Sequence, residues 1–358
     1  MPSTEALFWF LLCGEIPSQS QMEDFRAHLL TRTYIPHHIF TAIDNLPKKS
    51  DPVSRFCVAL LCWTTTSTFM EKYDAGIPKE QYWEYSYADA LTLIAGLNQI
   101  TSYIYTRYCK HSDTIAPDYT LDWAGNLSRM MGFKDAKAMD FIRLFIFTHA
   151  DHGPANASAH TCHLVGSTLV NAFYTCVASM VALAGPLHGH ANEETFKWLL
   201  RLQAKAREEK KELNHDFISD YIENELQQGR KIPGYGHAAL RVEDPRYTLV
   251  KNFIHDNNIV SEYVHVADMV YDVAPGILSN VRKISNPNPN IDAITGAALY
   301  SLGITEFDFY TVLFGTGRII GLMAQHIIDR ILQIPIERPK AFDLEKHTKK
   351  NTKSSDTT

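Results

Sequence analysis

Residues 305–335, TEFDFYTVLFGTGRIIGLMAQHIIDRILQIP, leave a chain few choices. Apolar residues recur three and four apart over a stretch far longer than a strand, so the segment reads as one long helix. Thr305 with Asp308 is the expected cap at its start, and Pro335 the stop. A helix this long and this apolar needs other helices around it. SRFCVALLCWTTTSTFMEKY (54–73), YADALTLIAGLNQITSYIYTRYC (87–109) and DAKAMDFIRLFIFTHADH (135–152) carry the same spacing. The run HLVGSTLVNAFYTCVASMVALAGP (163–186) is interrupted by Ser167, Thr168, Asn171 and Ser179. That pattern fits a buried helix with close neighbours better than a membrane span. Alternating strand residues between turn pairs are missing. The expected fold is all-α.

At 358 residues the chain can bury one large core or two smaller ones. A net charge of -6, with no stripe of Lys and Arg, argues against nucleic-acid binding. Residues 202–231 are rich in charge and read as solvated helices closed by Gly229, which suggests a second, more exposed lobe. The six cysteines form no CxxC pair and read as reduced thiols of an intracellular protein. The first residues, MPSTEALFWFLLCGEIPS, have no basic n-region, no small-residue cleavage site and no arginine. They look like neither a signal peptide nor a mitochondrial presequence, so the expected location is the cytoplasm. The tail KHTKKNTKSSDTT (346–358) is polar and is expected to be disordered.

Four polar constellations interrupt the apolar frame. THADHGPANASAHTCH (148–163) delivers histidines into a Gly-Pro break. Histidines three apart suggest a metal, but no nearby carboxylate or cysteine completes a ligand set, so no metal is expected. GPLHGHANEE (185–194) sets His188 in a turn that Pro186 and the glycines keep out of regular helix. PGYGHAALRVEDPRY (233–247) offers exposed backbone N–H groups, His237 and two arginines. Such a loop suits an adenine or a phosphate, but it also suits a surface turn. NPNPNIDAITG (286–296) places Asp292 where a helix opens, and a simple cap explains it equally well. Arg318, inside an apolar helix, needs an anionic partner. No P-loop, nucleophile elbow or dinucleotide fingerprint occurs. Histidines in irregular backbone, one aspartate and several forked guanidiniums suit carbon–carbon chemistry on a polyanionic small molecule.

In this order, the blocks HADHGPANASAHTCHLVGS, AGPLHGHANEE, PGYGHAALRVEDPRY, NPNIDAITG, YTVLFGTGR and PIERPK resemble the citrate synthase family over nearly the whole chain. The resemblance implies a two-domain all-α homodimer. Residues 1–190 and 301–345 would form the large domain and 191–300 the small one. It implies a Claisen condensation of an acyl-CoA with oxaloacetate, then thioester hydrolysis, with no bound cofactor. By position Asp292 matches the base that takes the α-proton. His188 matches the donor to the thioester oxygen, and His237 the donor to the oxaloacetate carbonyl. His152, Arg246 and Arg318 match the oxaloacetate-carboxylate binders, with Asn156 in support and Arg338 supplied by the other subunit. Pro233, Gly234, Tyr235, Gly236, Ala238 and Arg241 match CoA contacts. Family members carry a further N-terminal portion, including an arginine that contacts CoA, ahead of FWFLLCGEIP. Asp292 and His188 are far apart in sequence, so domain closure around substrate would assemble the site.

The sequence also departs from citrate-forming relatives. Ile294 and Thr295 stand where those read His-Ser, and Gly153 where they read Glu. His190 and Glu193 replace leucine and glutamine, and SNPNP replaces Lys-Asn-Pro-Trp-Pro. These changes surround the acyl and CoA ends. They imply a longer acyl-CoA fitting beside Ile294 and Phe314, as in the alkylcitrate synthases of fungal polyketide pathways. Citrate or 2-methylcitrate synthesis is the alternative, and an inactive dimeric member a remoter one.

Overall fold

The computed structural model describes residues 3–237, 240–281, 284 and 286–339. Ala238 and the tail 346–358 lie outside them. Among the described residues the chain forms sixteen α-helices and no β-strand: α1 (Thr4–Cys13), α2 (Gln19–Leu30), α3 (His37–Asp44), α4 (Pro52–Trp63), α5 (Thr68–Asp74), α6 (Tyr82–Ile104), α7 (Trp123–Met130), α8 (Ala136–His149), α9 (Ala157–Gly166), α10 (Ala172–Leu183), α11 (Ala191–Glu209), α12 (His215–Gln227), α13 (Pro245–Asp256), α14 (Glu262–Ser279), α15 (Asp292–Ser301) and α16 (Tyr310–Ile331). Side chains start many of them. Asp51, Asn156, Asn171 and Asp244 each accept a backbone N–H of the first turn, satisfying donors a helix leaves open.

α16 is the axis of the molecule. Every residue from Tyr310 to Ala324 is buried. By length and apolarity the segment from Phe307 to Ile331 would pass for a membrane span, but here α6, α8, α9 and α1 surround it. It starts later than its sequence suggests. Thr305 does not cap it; its hydroxyl bonds Glu306 Oε1 at 2.7 Å. Glu306 is drawn away by Lys110 and by the Tyr105 hydroxyl, so the helix opens from a 3₁₀ turn at Phe307–Phe309 without a side-chain cap. The helix also ends at Ile331, ahead of Pro335.

The apolar run at 163–186 is two helices rather than one. The hydroxyls of Ser167 and Thr168 turn back on their own helix's carbonyls, and Leu169 adopts φ 66°. Asn171 then caps α10. The stretch 54–73 also breaks, because Asp89 on α6 captures the Ser67 and Thr68 hydroxyls and the Thr68 N–H.

Two apolar cores form. The larger joins α1–α4, α6–α10, α13, part of α15, and α16. The smaller gathers Phe196, Trp198, Leu199 and Leu202 of α11, Ile218 and Ile222 of α12, and Val266, Val270 and Leu278 of α14. Ala297 of α15 reaches the smaller core, while Ile294 and Ala298 face the larger. The helix carrying Asp292 therefore lies along the seam.

Candidate active site

The polar residues meet where α8 ends, α9 begins and α16 passes beneath. Asn156 caps α9 through Oδ1, which accepts from Ser158 N at 3.2 Å and from the Ser158 hydroxyl at 2.9 Å. Arg318, 1% exposed, reaches up from α16. Its Nε donates to the His149 carbonyl at 3.0 Å, and its Nη1 to Ser158 Oγ at 3.1 Å and Asn156 Oδ1 at 3.3 Å. No carboxylate pairs with it among the described residues. Burial, reinforced by Arg246, lowers its pKa to about 10. A guanidinium held by neutral oxygens alone in a desolvated site is a standing attraction for an anion.

His188 enters from the turn before α11. Gly189 lets that turn close: its N–H bonds the Leu183 carbonyl at 2.8 Å, and a Cβ there would fall 2.6 Å from Leu183 Cγ. His188 Nε2 accepts the Ser158 N–H at 3.3 Å and lies 2.9 Å from Ser158 Oγ. An accepting Nε2 assigns the proton to Nδ1. Burial, with Arg318 and His152 nearby, pushes its pKa down to about 4. The imidazole is thus neutral and donates from Nδ1. His190, two residues on, is a strut. Its Nδ1 meets Thr311 Oγ1 of α16 at 3.2 Å and its Nε2 lies 3.0 Å from Glu193.

His237 and Asp292 come from segments tied to each other. Gly236 N donates to Asn288 O and Asn290 N to Gly234 O, both at 2.9 Å, around a bridge between Tyr235 and Pro289. Asn290 Nδ2 adds a bond to Gly236 O at 2.9 Å. Gly234, at φ 78°, could not be another residue: a Cβ would sit 2.8 Å from Ala293 Cα. Gly236 N–H, expected to be open to a ligand, is taken by this pairing. His237 Nδ1 accepts the Leu240 N–H at 3.0 Å, leaving the proton on Nε2. Burial and Arg246 lower its pKa. Its ring lies parallel to that of His152, with centroids 6.5 Å apart. His152 is fixed through Nδ1 to the Gly153 carbonyl at 3.2 Å, and burial lowers its pKa as well.

Asp292 opens α15, its N–H on Asn290 Oδ1 at 3.0 Å. Burial pushes its carboxyl up to about 6, against the pull of Arg246 and Arg318. Arg246 forms a two-pronged pair with the buried Asp244, at 3.0 and 2.7 Å. Burial alone would raise Asp244, but the bonds and charge of Arg246 outweigh it and hold the carboxyl below its usual range. Asp244 also takes the Ile291 N–H at 3.2 Å, so it ties the start of α13 to the residue before Asp292.

The structure thus brings together His152, Asn156, His188, His237, Arg246, Asp292 and Arg318. Arg338 is not among them. It is exposed on the extended segment after α16, where Glu337 N bonds Ser167 Oγ at 2.9 Å. Arg241 is exposed and donates to the Leu240 carbonyl at 2.9 Å. Pro233, Gly234, Tyr235 and Gly236 form the bridged loop just described. Ile294 has no exposed surface and packs into the larger core. It therefore lines no acyl space, contrary to its expected place beside Phe314. Phe314 does reach the site, its ring 6.2 Å from that of His188. The histidines of 148–163 turn to separate partners: His149 bonds Phe145 O, His160 faces Glu337 and His163 pairs with Asp329. Among the described residues one group has metal-capable spacing, His190 with Glu193 and Glu194, and there Lys197 lies 2.6 Å from Glu193.

Sequence reasoning passed over Ser158, Asp244 and Asn290. Asp-Pro-Arg at 244–246 carried the clearest signal, an N-cap followed by proline at the first helical position.

Comparison with known proteins gives a consistent answer. The profile of the family described as "Citrate synthase, C-terminal domain" matches residues 2–340. The mitochondrial citrate synthase of Saccharomyces cerevisiae is 41% identical over 346 residues, covering 97% of this chain and 72% of that protein. The mitochondrial 2-methylcitrate synthase of Yarrowia lipolytica is 40% identical over 348 residues, covering 97% and 74%. The solved structure of Pyrobaculum aerophilum citrate synthase superposes with a TM-score of 0.81 at 25% identity, covering 97% of this chain and 86% of the other. A Thermoplasma acidophilum citrate synthase solved as a ternary complex with carboxymethyl coenzyme A and oxaloacetate has the same fold, at a TM-score of 0.79 and 21% identity. The chain belongs to the citrate synthase family and is an enzyme of that type, condensing an acyl-CoA with oxaloacetate.

Proposed function

We propose that Asp292, His188 and His237 carry the condensation. The carboxylate of Asp292 takes the α-proton of the acyl-CoA while His188 Nδ1–H donates to the thioester oxygen, so an enol forms rather than a bare enolate. The enol carbon attacks the oxaloacetate carbonyl, polarised by His237 Nε2–H. Water then cleaves the thioester of the adduct, releasing CoA and a citrate-type tricarboxylate. Arg318, Arg246 and His152 hold the oxaloacetate carboxylates with Asn156 in support, and Arg338 completes the set from a second copy in a homodimer. The observation that carries this reading is His188: neutral, half-buried, and fixed by the Ser158 N–H as an Nδ1 donor. The raised carboxyl of Asp292 supports it, since a stronger base is better matched to a weak carbon acid.

The product proposed is an alkylcitrate from an acyl group longer than acetyl. Leu187, beside His188, is 92% exposed. Gly153, next to His152, has open space where a Cβ would stand. Citrate or 2-methylcitrate is the second reading, favoured by the relatives at about 40% identity. Thiol release from acetyl-, propionyl- and hexanoyl-CoA with oxaloacetate separates the two. Higher kcat/KM with hexanoyl-CoA is expected, and turnover of acetyl-CoA that equals or exceeds it refutes the longer chain.

A further inference from the structure

No step of the condensation uses His190. It begins α11, yet its side chain makes no capping bond to the first turn, where a helix leaves backbone donors open. The ring instead joins two helices. Nδ1 lies 3.2 Å from Thr311 Oγ1 on α16, and Nε2 lies 3.0 Å from Glu193 on α11. The charge of the buried Glu193 is met by Lys197 at 2.6 Å, so what His190 adds is a fixed position rather than a countercharge. Thr311 is fully buried, and its hydroxyl needs a partner there.

Thr311, Phe314 and Arg318 follow at helical spacing on one face of α16. The same face meets His188: Phe314 lies 6.2 Å from its ring, and Arg318 reaches it through Ser158. His188 and His190 thus dock on α16 about one turn apart. The carbonyl of His188 also accepts the Ala191 N–H at 3.0 Å, so the start of α11 and the direction of His188 move together. α11 continues into the smaller core through Phe196 and Leu199. A shift of that core would pass straight to His188 were the first turn of α11 not tied to α16.

We propose that His190 is a positioning residue for His188. It clamps the first turn of α11 to Thr311, so the Nδ1–H of His188 keeps its aim at the thioester oxygen as the helices of the smaller core shift. The inference rests on the condensation reading above and adds to it a residue that acts through His188 alone. Its effect falls on the α-proton transfer and not on oxaloacetate binding, whose residues are held by bonds that His190 does not make.

The test is a cycle of His190→Leu, Thr311→Val and the double variant, in the full chain, with His190→Asn beside them. His190→Leu should lower kcat about 10- to 100-fold, the scale of a misplaced catalytic group, with Kd for oxaloacetate by calorimetry unchanged. The isotope effect on kcat with α-deuterated acyl-CoA should be as large as that of the wild type or larger, since proton transfer is the step slowed. Thr311→Val breaks the same tie without leaving a buried hydroxyl unpaired, so it should lower kcat while the melting temperature hardly moves. The double variant should fall no further than the worse single one. His190→Asn, whose amide reaches the place of Nδ1, should keep most of the activity. An unchanged kcat in Thr311→Val, an isotope effect that shrinks, or single losses that multiply in the double variant overturn the clamp and leave the condensation intact. A wild-type protein that releases no thiol from any acyl-CoA overturns the condensation reading, and this inference with it.

Discussion

At the scale of single residues the site works by opposed pKa shifts. Burial raises Asp292 to about 6 and lowers His188 to about 4, so near neutrality one is an anionic base and the other a neutral donor. The sign of the pH effect follows. Asp292 must be ionised to accept a proton, so kcat/KM should fall as pH drops through about 6, while His188 stays neutral down to about 4. A pH–rate profile whose acid limb lies below pH 5 would contradict this assignment. Asp292→Asn should lower kcat by about 10²- to 10⁴-fold, with oxaloacetate affinity retained by calorimetry; a variant with near-normal thiol release removes Asp292 as the base. His188 stood out in the sequence because a histidine in a glycine-proline turn is costly to position without a reason. Ser158 and Asp244 did not, because each looks like an ordinary helix-start residue. Their partners lie across the fold: Ser158 meets His188 and Arg318, and Asp244 meets Ile291. Local pattern carries no signal for such long-range bonds.

At the scale of elements, periodicity located the helices and missed several of their breaks. The interruption at 167–171 depends on hydroxyls turning back on carbonyls and on Asn171. The one at 64–67 depends on Asp89, which arrives from another helix. The late start of α16 has the same kind of cause, Lys110 competing for Glu306. The paired loops 233–237 and 286–290 are the element on which the site most depends. Gly234→Ala combines a positive φ with a contact of 2.8 Å to Ala293 Cα. It should cost about 1–3 kcal/mol in denaturant unfolding and raise KM as well. Gly229→Ala shares the positive φ (72°) but has open space around it, and should cost about 1 kcal/mol or less with kinetics unchanged. Equal effects of the two substitutions would mean that the loop pairing adds nothing to backbone strain.

At the scale of the molecule, the order of six blocks already pointed to the family, and the all-helical architecture follows from α16 and its neighbours. Assembly was less legible. Arg338 is exposed, on a segment anchored to Ser167, and lies apart from the other site residues of its own chain. If a second copy receives it, Asp292→Asn and Arg338→Ala are defective in different places. Co-expressed, they should form mixed dimers with one intact site, and thiol release above the sum of the two separate variants. A mixture no better than that sum would make each site self-sufficient. Arg318 has a broader consequence. A cation buried without a counter-ion makes the empty protein less stable than its packing would allow, and a bound dianion relieves that strain. Folding and substrate level are therefore linked: at oxaloacetate a hundredfold above Kd the native state should gain about 2.7 kcal/mol, read as a rising melting temperature, while a monoanion such as pyruvate moves it less. Inside a cell, such a protein would persist longest where its substrate is plentiful and be cleared fastest where it is scarce.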